Sequence, residues 1–208
     1  LMSDSTAVRL TVDESSRPQT SNRSRYGPLL RRSAASAVAA VPAIGSSGSK
    51  PNWCYISSGT WSLMGVETPA PIINRRCYEL NFTNEGGVGG TTRLLKNIAG
   101  LWLIQECQRA WRAEGHDYDW QRLASMAQEA EPLRSVIDAD DPRLISPRDM
   151  PAKLVALCRE AGQPIPETHG AIVRCALESL ALKYREVLGY LECLAGGRIE
   201  QIHIVGGG

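Results

Sequence analysis

The C-terminal part of the sequence combines a long amphipathic helix with a short apolar strand. Apolar side chains recur every three or four positions over residues 173–191, a spacing that predicts a helix with one buried face. Gly196 and Gly197 predict the end of this helix, and the apolar run over 199–205 predicts a buried strand. A helix that leads directly into a buried strand is typical of α/β folds, in which helices cover a sheet.

Further strands and helices are predicted upstream of this unit. The segments WCYIS and WSLMGV have the composition of strands, and the turn Ser58-Gly59-Thr60 lies between them. A proline-containing, irregular excursion is expected over 66–81. Helical spacing of apolar residues predicts three more helices, from Thr91 or Thr92 to Gln105, over 120–130 and over 150–161.

The first of these helices would contain Gly100 in its interior. Glycine there costs about 1 kcal/mol relative to alanine, which predicts a close packing contact at this position. Only three strands are predicted, too few for a sheet covered by so many helices. Further strands are therefore expected beyond Gly208.

Composition excludes some classes of function. The 208 residues are 43% hydrophobic and 22% charged, as in globular proteins, and the net charge of +1 favours no nucleic-acid or anionic membrane partner. No apolar run is long enough to cross a membrane, and no secretory signal is visible. A cytoplasmic protein is expected. Because the sequence begins with Leu1, we expect it to be an internal segment of a longer chain.

Two regions are expected from the composition along the chain. Residues 1–33 are rich in Ser, Thr and Arg without sustained periodicity, which predicts an irregular leader. The folded domain is expected over 34–208. The six cysteines have no C-x-x-C pair, so buried free thiols are a better interpretation than a metal site.

Two segments are candidates for binding an anion. The turn from Ser57 to Thr60 would offer backbone amides and a hydroxyl, the groups that cradle a phosphate, although most such turns only join a hairpin. The glycine-rich loop over 84–90 precedes a predicted helix and could bring an anion to its N-terminus, or serve as a flexible connection. No Walker A loop, nucleophile elbow or H-E-x-x-H motif occurs. The residues alone indicate a phosphate-binding α/β domain.

A combination of motifs resembles one group of enzymes. YISSGTWSLMGVE, NFTNEGG, RLLKNIAGLWLIQECQRAW, GQPIP, RCALESLALKYREVL and IHIVGGG follow one another as they do in rhamnulokinases, sugar kinases of the FGGY carbohydrate kinase family. The resemblance covers about residues 34–208. It implies the C-terminal, ATP-holding domain of an actin-like (ribonuclease H-like) fold, with ATP and sugar in a cleft between two domains.

The resemblance also implies a reaction and the residues that serve it. ATP and Mg²⁺ would phosphorylate L-rhamnulose to L-rhamnulose 1-phosphate, and the N-terminal kinase domain, which is not in this sequence, would be the partner. The expected nucleotide contacts are Gly59 and Thr60 at the phosphates, Gln105, and an adenosine loop at Gly206, Gly207 and Gly208. Asn97 would contact the sugar. On one helix, Asn97 and Gln105 would lie within about 80° of each other and face one cleft.

One departure from the family concerns the catalytic base. Ser33 stands where the resemblance implies the aspartate that accepts the proton of the sugar hydroxyl, so no catalytic residue is retained. The resemblance stops just before Ala34, which favours a frameshift or assembly error upstream over an evolved leader. Loss of a general base typically lowers the rate about 10²- to 10⁴-fold, so the isolated chain is expected to be inactive.

Three interpretations of the chain remain open. It is part of a rhamnulokinase, a nucleotide-binding module of the same fold without catalysis, or an interaction domain without a ligand. The family can carry a cysteine pair at the positions of Cys158 and Cys175. A disulfide is therefore possible by resemblance, whereas free thiols are expected in a reducing compartment.

Overall fold

The computed structural model describes residues 52–146 and 148–206, in which five strands form a single mixed sheet. They are β1 Trp53–Ser57, β2 Trp61–Thr68, β3 Thr83–Gly86, β4 Thr92–Ala99 and β5 Gln201–Val205. Their spatial order is β3-β4-β2-β1-β5. β1 pairs parallel with β5 and antiparallel with β2, and β4 pairs antiparallel with both β2 and β3.

Five α-helices accompany the sheet in the described part of the chain. They are α1 Arg75–Glu79, α2 Trp102–Ala113, α3 Trp120–Glu129, α4 Met150–Glu160 and α5 His169–Ala195. Short 3-10 turns lie at Val88–Gly90 and Pro142–Ile145. The described residues include no helix that is long and apolar enough to cross a membrane.

The long C-terminal helix is confirmed and has defined signals at both ends. The Thr168 hydroxyl caps the N-terminus of α5 by accepting a hydrogen bond from the Ala171 amide at 3.1 Å. Gly196 ends the helix in the left-handed conformation, with φ of 70°, where a residue without Cβ is favoured. The apolar face of α5 enters the core with side chains from β1, β2, β4, α2, α3 and α4.

The segment predicted as the first helix is mostly a strand. Leu94, Leu95 and Ile98 fit a helical spacing, but they equally fit a strand whose two faces are both covered, and all three are buried in β4. β4 lies between β2 and β3 and pairs with β2 over its whole length, from Thr92 to Ala99. This long-range pairing overrides the local pattern. The helix begins only at Trp102, after Gly100.

Other predicted boundaries need smaller corrections. The sheet has five strands within the described residues, so the expectation of only three visible strands was wrong. β2 continues to Thr68, and α1 interrupts the region predicted as irregular. The predicted strand pair and the helices over 120–130 and 150–161 are confirmed within a residue or two of their bounds. The predicted leader over 1–33 lies outside the described residues.

A partly buried lysine holds two loop segments to the sheet. Lys96 Nζ donates a hydrogen bond to the Leu80 carbonyl at 3.2 Å and lies 3.9 Å from the Asp140 carboxylate. Asp140 in turn accepts a hydrogen bond from the Ala99 amide at 3.4 Å. Burial lowers the pKa of Lys96 and raises the pKa of Asp140, because each charged form loses hydration. The end of α1 and the loop at Asp140 are both held to β4 in this way.

The cysteines of the structure are free thiols. Five of the six are buried, and Cys193 is exposed. The Sγ atoms of Cys158 and Cys175 lie 3.8 Å apart, farther than the roughly 2.0 Å of a disulfide bond.

The N-terminus of α5 is held by a ring cluster that predicts a pH dependence of stability. The ring of His169 stacks on Trp111 with centroids 4.2 Å apart, and its Nδ1 lies 3.1 Å from the Tyr118 hydroxyl. Burial, with a smaller contribution from the nearby His116, lowers the pKa of His169 below its usual 6.5. Protonation is therefore less favourable in the folded state than in the unfolded chain.

We expect this histidine to destabilise the fold as the pH falls below about 6.5, because only the unfolded chain then gains the proton readily. The variant His169→Phe keeps an aromatic ring on Trp111 but cannot titrate. Its Tm should decline less between pH 7 and pH 5 than that of the unaltered chain in thermal unfolding followed by circular dichroism. Parallel declines of the two proteins would contradict this assignment.

Candidate functional site at the turn between the first two strands

The turn from Ser58 to Thr60 is fixed from two sides by backbone hydrogen bonds. The Ser58 amide donates to the Val205 carbonyl at the end of β5, at 2.7 Å. The Gly59 carbonyl accepts from the Leu101 amide and the Thr60 carbonyl from the Trp102 amide, each at 2.9 Å. The hairpin turn predicted from sequence is therefore attached both to the end of β5 and to the start of α2.

The same turn keeps its donors available. Among the described residues, no hydrogen bond uses the amides of Gly59 and Thr60 or the Thr60 hydroxyl. Thr60 is exposed. Successive free amides beside a hydroxyl in a rigid turn form the kind of concavity that binds anions. The turn can therefore hold a phosphate oxygen without first giving up an internal hydrogen bond.

Two glycines allow the chain to approach this turn closely. A Cβ at Gly100 would lie 2.6 Å from the Gly59 carbonyl oxygen and 2.8 Å from that of Thr60. A Cβ at Gly206 would lie 2.1 Å from the Ser58 carbonyl oxygen, and the φ of Gly206 is 118°, which side chains rarely adopt. The close contact predicted at Gly100 is confirmed, although the residue lies between β4 and α2 and not inside a helix.

The alternative anion site in the glycine-rich loop is not supported by the structure. The first residues of this segment belong to strand β3, and the segment leads into strand β4 and not into a helix. It already surrounds a carboxylate, because Glu67 accepts hydrogen bonds from the Val88 amide at 3.2 Å and from the Thr91 hydroxyl. A negatively charged side chain in this position disfavours a second anion.

Asn97 and Gln105 do not share a helix. Asn97 is exposed on β4, and Gln105 is half-buried in α2. The prediction that they lie within about 80° on one helix face was wrong, because strand β4 ends before Gly100 and helix α2 begins after it. Both nevertheless lie close in sequence to Leu101 and Trp102, whose amides bind the turn.

The remaining predicted site residues differ in what the structure describes. Gly206 follows β5 directly and contacts the turn as described above. Gly207, Gly208 and Ser33 lie outside the described residues, so their predicted roles stay predictions.

Sequence reasoning missed an aromatic pair at this site. Trp61 directly follows Thr60, and its ring stacks on that of Trp102, with centroids 6.2 Å apart and planes 14° from parallel. Trp102 supplies both this ring and the amide that holds the Thr60 carbonyl. The only signal in the sequence was the position of Trp61 beside the candidate turn, since the stacking depends on the path of the chain through Gly100.

A comparison with known families defines the class of the protein. The sequence profile described as "FGGY family of carbohydrate kinases, C-terminal domain" matches residues 54–208. That match covers most of the chain, and the chain therefore belongs to the FGGY family of carbohydrate kinases.

Within this family, the chain is similar in sequence to several curated rhamnulokinases. The chain is 51% identical over 173 residues to a rhamnulokinase of Bacteroides thetaiotaomicron, 42% over 176 residues to one of Enterococcus faecalis and 43% over 174 residues to one of Bacillus subtilis. These matches cover 83%, 84% and 84% of the chain. The chain spans 34% of the length of each of these relatives.

A solved structure supports the fold independently. A xyloylose kinase from Brucella ovis superimposes with a TM-score of 0.50 at 16% identity, covering 76% of this chain and 31% of that one. The expected α/β, actin-like architecture of a sugar-kinase domain is confirmed by this likeness together with the family match.

The contact at Gly100 predicts the effect of a single methyl group. In Gly100→Ala the new Cβ would press on two backbone carbonyls, and the required shift should cost about 1–3 kcal/mol. For a chain of this size, that corresponds to a fall in Tm of roughly 2–12 °C.

Gly189→Ala is the matched control, because a Cβ there meets nothing within 4 Å and Gly189 lies inside α5. It should leave Tm unchanged or raise it, since alanine is the better helix former. Equal Tm values for the two variants in thermal unfolding would contradict the role given to Gly100.

Proposed function

We propose that this chain forms the ATP-holding side of a sugar kinase that phosphorylates L-rhamnulose to L-rhamnulose 1-phosphate. The observation that carries the proposal is the turn at Gly59 and Thr60, fixed through its carbonyls and left with free donors, in a chain of the FGGY family. Identity of up to 51% to rhamnulokinases supports the choice of sugar.

The nucleotide would lie along the edge of the sheet where this turn ends β1. The amides of Gly59 and Thr60 and the Thr60 hydroxyl would bind phosphate oxygens, as donors fixed before the ligand arrives. Gly206, followed by Gly207 and Gly208, would let the adenosine approach the backbone. Gln105, in the second turn of α2, would add a side-chain contact to the nucleotide.

The sugar would lie on the side of the turn nearer to β4. Asn97 is exposed there and is not engaged in a side-chain hydrogen bond with another described residue. Its amide can both donate to and accept from hydroxyl groups. We assign it the role of a sugar contact.

A magnesium ion would enter the site with the nucleotide. Mg²⁺ is commonly bound through substrate phosphates with few protein ligands. When bound with ATP, the ion would neutralise charge on the phosphates, while this chain positions those phosphates through its turn.

Catalysis would require groups beyond the described residues. Ser33 takes the position of the family's catalytic base, and a serine does not accept a proton at neutral pH. A second, N-terminal kinase domain would supply the remainder of the cleft. The non-catalytic nucleotide-binding module remains the alternative, favoured by Ser33 alone.

The first test is the binding of ATP to the chain. Isothermal titration calorimetry should detect binding with a millimolar or lower Kd, and Thr60→Val should weaken it about tenfold or more, because a hydrogen bond to a charged group is lost. Thr83→Val, an exposed threonine at the edge strand β3, is the control and should bind as the unaltered chain does. Absence of ATP binding to the unaltered chain would contradict the proposal.

The second test is turnover. In a coupled assay of ADP release, the chain should show no ATP consumption that depends on L-rhamnulose, because Ser33 would not serve as a base and the chain spans 34% of the length of its rhamnulokinase relatives. Robust turnover would show that the assignment of Ser33 is wrong.

A further inference from the structure

Trp61 presents a large aromatic surface beside the candidate phosphate turn. Its side chain follows Thr60 directly and is 48% exposed. One side of the ring stacks on Trp102. The Trp102 indole is itself fixed, because its Nε1 donates a hydrogen bond to the Leu144 carbonyl at 3.1 Å. Trp61 is therefore a supported, preorganised surface and not a freely rotating side chain.

The order of the strands places Trp61 on a particular side of the turn. Gly206, at the end of β5, meets the turn at Ser58. β2, which begins at Trp61, lies on the opposite side of β1 from β5 and is flanked by β4. Across this end of the sheet the spatial order is therefore Gly206, then the turn, then Trp61.

The register between β2 and β4 brings Trp61 near Asn97. Leu63 pairs with Asn97, and Trp61 pairs with Ala99. Directly opposed residues share a face of the sheet, and alternate residues of a strand do so as well. Trp61 and Asn97 are thus diagonal neighbours on one face, a relation in which residues lie about 7–8 Å apart. Both are exposed.

We propose that Trp61 is the wall of the sugar site and that its ring packs against a C–H face of the acceptor sugar. The proposal rests on the function proposed above. Transfer of a phosphoryl group requires the phosphates to lie between the adenosine and the acceptor hydroxyl. With the adenosine at Gly206 and the phosphates at the turn, the acceptor lies on the side of Trp61.

The chemistry of this surface fits a sugar. The electron-rich face of an indole attracts the weakly positive C–H groups of a ring or chain, while the Asn97 amide can exchange hydrogen bonds with hydroxyl groups. An apolar wall with a few polar groups is the common composition of small-molecule sites. Trp61 would therefore set the orientation of the sugar, and Asn97 would select its hydroxyls.

Saturation-transfer difference NMR on the chain, with L-rhamnulose and a non-hydrolysable ATP analogue, tests the proposal. Transfer should reach the C–H protons of the sugar in the unaltered chain and fall at least about threefold in Trp61→Leu, which removes the aromatic face. Trp61→Phe keeps an aromatic face and should retain most of the signal. Trp120→Leu is the matched control, since Trp120 is 46% exposed on α3, and it should have no effect.

The outcomes separate this inference from the function on which it rests. Transfer to the adenine protons should persist in Trp61→Leu, which also shows that this variant is folded. Loss of the adenine signal in place of the sugar signal would assign Trp61 to the nucleotide and overturn the inference. Adenine transfer without any sugar transfer in the unaltered chain, or equal sugar transfer in Trp61→Leu, would overturn it while ATP binding stands. Absence of transfer to both ligands would overturn the proposed function as well.

Discussion

Two backbone hydrogen bonds connect the turn after β1 to the start of α2, and the geometry of the candidate site depends on them. The amides of Leu101 and Trp102 bind the carbonyls of Gly59 and Thr60. They can do so only because Gly100 has no side chain to separate the two segments. These two hydrogen bonds use the carbonyls of the turn and amides at the start of the helix. The amides of the turn therefore remain available to a ligand. Rigid donors of this kind need no reorganisation when an anion binds.

The same connection explains why three elements contribute to one site. β5 approaches the turn through Gly206, β2 begins with Trp61, and β4 ends just before Gly100. Each segment therefore places a residue at the same edge of the sheet. The Lys96 and Asp140 contacts hold the neighbouring loop to β4 from the core side. A defect in this region would therefore alter the site as well as the stability of the fold.

Much of the fold could be predicted from local pattern, and the errors have a common physical cause. The hairpin of β1 and β2, the helix α5 with its Gly196 terminus and the strand β5 all have signals within their own sequence. The short, polar strand β3 exists through its pairing with β4. β4 itself was mistaken for a helix because pairing on both of its edges is a long-range property. The same holds for the site. The turn and the close contact at Gly100 were predicted from local sequence, whereas the stacking of Trp61 on Trp102 is a long-range contact and was not predicted.

The proposed function depends on the binding of phosphate by the free amides of the turn. Chemical-shift mapping of the ¹⁵N-labelled chain during titration with ATP tests this binding residue by residue. We expect the amide signals of Gly59 and Thr60 to shift most and to saturate together, while those of the loop at Val88 stay in place. Shifts centred on that glycine-rich loop, or binding of ATP without a change at Gly59 and Thr60, would contradict it.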